Sequence, residues 1–386
     1  MSPSPCRRLL IVLLTALVLL AASPPQEFTR AQDDPPPLAG PLLAATLPHN
    51  TGIALYDLGT GARRELSFGP GRHWLGSFSP DGCRLAFVMN DGGVGGMRLY
   101  TAALDGSDLR PLITAFTDGT GALAWEAWSP LWSPAGDRIA FVLIRDYDTD
   151  GERTRAAHIA WVPASGGAPT FYSNTGREGQ PVWSPDGRWL AYLSFELFGA
   201  STRDGDIWIV SADGVSKYQL TDFAEGGALF PRWSPDGGTI GFIYAPSGNN
   251  HQFWTVSASG GEPQQWSDAL TLVLAYDWLP DGRGFVASIL DWANTQDNTL
   301  WRVPIPGFAD TDATRYLVDP EATATDYPRF SPDGRYLAFR SAYAAMLYDT
   351  ASGELRQLYE LGLNNSPLVW GPSDFAGEAA CAAAQN

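Results

Sequence analysis

The stretch "WSPDGRWLAY", residues Trp183 to Tyr192, reads as the end of one β-strand, a tight corner and the start of the next. Proline is pre-set for the second position of a type I turn. Aspartate tolerates the third by bonding back to nearby backbone, and glycine accepts the positive φ that follows. The aromatic residue closes the incoming strand, and the apolar alternation through Leu190 and Tyr192 opens the outgoing one.

The phrase returns along the chain: "FSPDGCRLAF" from Phe78, "WSPAGDRIAF" from Trp132, "WSPDGGTIGF" from Trp233, "WLPDGRGFVA" from Trp278 and "FSPDGRYLAF" from Phe330. Successive starts, with Trp183 in its place, lie 54, 51, 50, 45 and 52 residues apart. A period near fifty marks a repeat architecture. A second hairpin follows each corner, as in "DIWIVSADGVSKYQLT" and "AMLYDTASGELRQLY". Four short antiparallel strands per repeat, with little helical periodicity, are the content of a propeller blade.

The ends decide whether the array is closed. "IALYDLGTGARREL", residues 53 to 66, is a second hairpin with no first one before it, and "SPLVWGPSD", residues 366 to 374, reads as a worn first hairpin with no second one after it. Bringing these halves together removes the exposed sheet edges of an open array. The expected fold is therefore an all-β propeller of four-stranded antiparallel blades, its last blade closed by both termini. Seven blades are expected, or six if the Trp370 segment is only a tail.

These phrases, each followed by an "IWIVSADG"-type strand, resemble the TolB-type, WD-repeat-like β-propeller family over about residues 51 to 375. The resemblance implies an exported or periplasmic bacterial protein that works as an interaction platform. TolB itself carries a further α/β domain before its propeller, where this chain has a short proline-rich stretch. Similar blades also precede the hydrolase domain of prolyl oligopeptidases. Neither a G-x-S-x-G nucleophile elbow nor a segment long enough for that domain is found, so a serine peptidase is not expected.

Composition agrees with a large folded domain, at 45% hydrophobic and 12% aromatic residues over 386. The net charge of -17, with Lys217 the single lysine, would repel phosphate backbones and excludes nucleic acid as a partner. Arg7 and Arg8 before the apolar run Leu9 to Ala22 read as an export signal or an uncleaved anchor within residues 1–31. Residues 32–50 read as a proline-rich tether, 51–375 as the propeller and 376–386 as an alanine-rich tail. The protein is expected outside the cytoplasm, periplasmic or extracellular, with a membrane tether if the signal is retained. Two cysteines, Cys83 and Cys381, then remain in an oxidising compartment. Unrelated thiols are the default for such a pair. If bonded, they would staple the ring closure, contributing roughly 4 to 5 kcal/mol in the entropic model.

The sharpest local chemistry is "RDYDTDGERTRA". Asp146, Asp148 and Asp150 fall at alternate positions before Gly151, as in the first half of a calcium loop, where hard oxygen ligands converge around a bend. The closing acid is missing, since Thr154 and Ala157 stand at the ninth and twelfth positions. The plain alternative is an elongated polar hairpin loop. No metal spacing joins His49, His73, His158 and His251, and His158 reads as a structural strand residue.

Asp277, Asp291, Asp297 and Asp326 lie near strand ends. They are the carboxylates a propeller glycosidase or lactonase would set across the ring, though a solvated loop carboxylate is the default for each. Trp132, Trp183, Trp233 and Trp278 read as inter-blade core, and Trp125, Trp128 and Trp292 as loop residues able to stack on a ligand. The resulting expectation is an exported non-enzymatic platform for a protein or envelope glycan. The alternative is a propeller enzyme using ring-face carboxylates.

Overall fold

The computed structural model describes residues 37–90, 96–113, 124–149, 152–173, 175–195, 205–246, 251–267, 272–290, 298–304, 314–317, 325–341, 344–360 and 367–384. Seven four-stranded antiparallel sheets are arranged as the blades of a β-propeller. Blades one to six each run in chain order from the innermost strand outward; blade one comprises His73–Phe78, Arg84–Met89, Arg98–Ala103 and Arg110–Pro111. The innermost strands of blades two to six are Ala124–Trp132, Glu178–Trp183, Gly227–Trp233, Leu272–Trp278 and Thr325–Phe330.

Each repeated corner joins an innermost strand to the next one out, and its side chains act as the sequence suggests. In blade one the Ser79 amide donates to the Arg84 carbonyl, Gly82 closes the turn onto Ser79 with φ at 74°, and Asp81 accepts from the Ser79 hydroxyl and the Cys83 amide. The pattern recurs at Ser184–Asp186, Ser234–Asp236 and Ser331–Asp333. The corners also touch one another. A Cβ placed on Gly136 would meet Pro80, one on Gly187 would meet Pro134, and one on Gly237 would meet Pro185, so glycine packs on the previous blade's proline.

The repeat aromatics lie between blades. Trp183 donates its Nε1 proton to the Leu131 carbonyl, Trp233 to Val182, Trp278 to Arg232 and Trp370 to Arg329, each on the preceding innermost strand. Burying an indole with its one donor satisfied costs nothing in unmade hydrogen bonds, which suits tryptophan to this seam.

Ring closure differs from the sequence reading in two ways. The C-terminal half supplies only the innermost strand of blade seven, Val369–Trp370, while the N-terminal half supplies three: Leu42–Thr46, Ile53–Asp57 and Arg63–Leu66. The propeller thus starts inside the stretch read as a tether. "LLAAT" is buried at all five positions, so it shows none of the apolar–polar alternation that betrays a half-exposed strand.

The tail is likewise part of the structure. Helix Glu378–Ala384 places Glu378 against the Arg64 guanidinium and the Leu38 amide, and Cys381 is bonded to Cys83 across blades seven and one, with their Cα atoms 5.4 Å apart. Asp57, fully buried, accepts from the amides of Ala39, Gly40, Gly59 and Thr60. Burial pushes its carboxyl up, but the four amides pull it below its ordinary value.

Between blades seven and one lies His73, with no exposed surface. Its Nδ1 lies 3.3 Å from the Asn50 carbonyl and its Nε2 faces the Phe68 amide at 3.4 Å, an arrangement that fits the neutral ring with Nδ1 as donor. Burial holds its pKa below the ordinary 6.5. The folded protein therefore binds fewer protons here than the unfolded chain, and this contribution is complete above about pH 6.5 and lost as the pH falls below it. Replacing His73→Gln is expected to flatten the acid limb of a plot of unfolding free energy against pH by up to about 1.4 kcal/mol per pH unit. Parallel limbs for the two proteins would show that His73 does not titrate in the transition.

Candidate functional site

The innermost strands share a feature that the repeat phrase does not announce. Ser129, Gln180, Phe230 and Tyr327 all have positive φ, between 50° and 54°, and each precedes a proline: Pro130, Pro181, Pro231 and Pro328. At each of these points the register with the next strand slips, a β-bulge in the same place on four blades. Left-handed backbone at non-glycine residues costs on the order of 1 to 3 kcal/mol each and concentrates at ligand sites. The signal was present in the sequence as a proline two residues before the repeat aromatic, in "SPLW", "QPVW", "FPRW" and "YPRF".

Three of the four bulges, at Ser129, Gln180 and Phe230, line a cavity of about 740 Å3 at the mouth of the central channel. Its wall includes Trp74, Trp128, Phe230, Arg72, Arg232 and His49, and it contains no aspartate or glutamate among the described residues. Phe230 is 45% exposed, an unusual state for a phenylalanine, and Trp128 meets Trp74 edge-on with ring centroids 5.3 Å apart. Trp128 and Trp125 therefore stand on the innermost strand of blade two rather than in a loop, and Trp125 is covered by the Arg98 guanidinium at 3.7 Å. Trp292 lies outside the described residues.

The positions just before the repeat aromatics of blades four, five and six are Arg232, Asp277 and Arg329. Asp277 accepts the Phe330 amide at 2.9 Å and lies 3.7 Å from the Arg232 guanidinium. Arg329 donates to the carbonyls of Tyr276 and Pro328. Burial pushes the Arg329 guanidinium below its ordinary range, the nearby Arg232 charge adds to this, and Asp277 opposes it. The three side chains form a band beside the cavity, of which Arg232 alone lines the wall, and one carboxylate serves two guanidinium groups.

The remaining sequence candidates are scattered. Asp326 is half-buried, and burial pushes its carboxyl up against the pull of Arg340. Asp291 and Asp297 lie outside the described residues. Asp146 and Asp148 sit in the long strand Arg138–Thr149, where their backbones pair with Arg155 and Arg153 of Glu152–Pro163, and Asp150 lies outside the described residues. Among the described residues no three His, Cys, Asp or Glu side chains are grouped to hold a metal. His158 is buried with its Nε2 3.0 Å from Arg145 Nη2, and His49 lines the channel mouth on a turn.

No family model matches the chain. It is 26% identical over 189 residues to an uncharacterised peptidase, YuxL, of Bacillus subtilis, covering 41% of this chain and 28% of that protein. It is 28% identical over 172 residues to a TolB homologue of Chlorobium luteolum, covering 45% of this chain and 34% of the homologue. The chain thus spans about a third of the length of these relatives. Among solved structures, an oligogalacturonate lyase in complex with manganese shares the fold at a TM-score of 0.56 and 17% identity, over 75% of this chain and 79% of that one. The chain is thus a seven-bladed β-propeller that is similar in sequence, over part of its length, to TolB homologues.

Proposed function

We propose that the protein is a binding platform that works outside the cytoplasm and holds a segment of a protein partner at the mouth of its central channel. The observation that carries this reading is the wall itself, with exposed Phe230, paired Trp74 and Trp128, and strained proline bulges around one cavity. Such a surface is built for contact with apolar side chains, and preformed concave walls of this size are the usual place for a ligand. The N-terminal apolar run and the Cys83–Cys381 bond both support an exported protein. Of the ring-face carboxylates an enzyme would need, Asp277 is engaged with Arg232 and the Phe330 amide, which favours binding over catalysis.

A photocrosslinking amino acid in place of Phe230, in the full chain expressed in its native host, is expected to trap one protein repeatedly. The same group in place of Val215, 82% exposed on an outer turn, is expected to trap none. Equal products at both positions would remove the channel mouth as the binding site. Running the experiment in calcium and in chelator asks whether Asp146, Asp148 and Asp150, proposed as part of a calcium loop, take part.

A further inference from the structure

A chain with 42 acidic residues leaves this cavity without one among the described lining residues, while Arg72 and Arg232 both line it. Arg72 is exposed at the start of the innermost strand of blade one and forms no ion pair among the described residues. Arg232 lies deeper, immediately after the Pro231 bulge, with its side chain 30% exposed. Its separation of 3.7 Å from Asp277 exceeds hydrogen-bond length, and its side chain makes no hydrogen bond among the described residues. The same carboxylate accepts the Phe330 amide and must also offset Arg329, whose Nη1 donates to two carbonyls. The band of Arg232, Asp277 and Arg329 thus carries one positive charge in excess, with an unused guanidinium fork turned to a concave and largely apolar space. A planar fork of that kind suits a carboxylate, which it can bind with two parallel hydrogen bonds.

We propose that the channel receives an extended peptide segment that is apolar except for a carboxylate side chain, the carboxylate seated on Arg232 and its flanking side chains against Trp74, Trp128 and Phe230. This rests on the platform reading and names the chemistry of its ligand. An acidic glycan is the weaker fit. Sugar hydroxyls need many polar partners, whereas besides its two arginines the wall offers the side chains of His49, Asn50, Ser129 and Gln180, and the Gln180 amide oxygen already accepts the Phe230 amide at 2.6 Å. The bulge prolines carry no N–H to donate.

Fluorescence anisotropy on the full chain tests the inference with four dye-labelled probes. Three are end-blocked octapeptides in which leucine alternates with aspartate, asparagine or lysine, and the fourth is oligogalacturonate. The protein's charge of -17 repels acidic probes at long range, so binding is measured at about 0.15 M salt, where screening acts within about 8 Å. The aspartate peptide is expected to bind at least about tenfold more tightly than the asparagine peptide, a difference of about 1.4 kcal/mol. Arg232→Gln is expected to reduce that preference below about threefold while leaving the asparagine peptide's affinity in place. Arg72→Gln, at an exposed position, is expected to weaken the aspartate peptide by a smaller factor. Equal binding of the aspartate and asparagine peptides would overturn the charge inference and leave the platform reading standing. Tightest binding of the lysine peptide would overturn it too. Retention of oligogalacturonate with no peptide bound would overturn both readings.

Discussion

Opening the Cys83–Cys381 bond, by reductant or by replacing both residues with serine, is expected to lower the unfolding temperature by about 6 °C while leaving the native circular dichroism at 25 °C unchanged. The bonded residues are 298 apart in sequence, so the bond removes a very large loop from the unfolded ensemble. In the chain-entropy model that is worth about 4 to 5 kcal/mol. The bond adds to a noncovalent closure in which apolar clusters join blade seven to blade one and to blade six, while the C-terminal segment itself is held more lightly. The strand Val369–Trp370 holds only two register pairs, Leu43 with Trp370 and Ala44 with Val369. The half-buried bridge from Glu378 to Arg64 helps, but it belongs to the same C-terminal segment and leaves with it. Scanning calorimetry of the oxidised and reduced protein decides the matter. A shift below about 2 °C, with free thiols confirmed, would mean that the apolar clusters flanking blade seven, the two-residue strand and the Glu378 bridge hold the ring without the bond.

The fold was legible because its signal is repeated. One turn chemistry, proline then aspartate then glycine, ends five of the innermost strands, with alanine for aspartate in a sixth, and six copies outweigh the ambiguity of any one. The closure was legible in principle and misread in detail, for a physical reason. Leu42–Thr46 is buried on both faces, so its sequence carries no alternation, and the prolines around it made the stretch look like linker. The site was hardest to see. The conspicuous chemistry in the sequence is in loop carboxylates and in Asp146, Asp148 and Asp150, whereas the cavity is lined by backbone bulges, aromatics and arginines from the strands themselves. Arg232, Asp277 and Arg329 share one repeat offset, yet their opposite charges only acquire meaning once adjacent blades bring them together. Sequence spacing gives the offset but not the fact that blades four, five and six are neighbours around an axis.

Asp277 is where the structural and the catalytic readings of this channel separate. Replacing Asp277→Ala removes the acceptor of the Phe330 amide and the one carboxylate that offsets two guanidinium groups. The amide is left unsatisfied, and Arg232 and Arg329 are left as like charges in a partly desolvated wall. Breaking such an arrangement from one side costs about 3 kcal/mol or more, because the remaining charges keep their desolvation penalty. Asp277→Asn keeps an acceptor for the amide and loses only the charge, so about half that loss is expected. Combining Asp277→Ala with Arg232→Leu is expected to recover part of it, since the second change removes one of the stranded charges. Urea unfolding of the four proteins measures all three differences. A catalytic carboxylate behaves in the opposite sense, because replacing it usually leaves stability unchanged or raises it. If Asp277→Ala is as stable as the parent, the clamp is wrong and Asp277 returns to the candidates for chemistry. If the loss is found, Asp277→Asn should also strengthen the aspartate peptide relative to the asparagine peptide, because a neutral side chain leaves both arginines to the ligand.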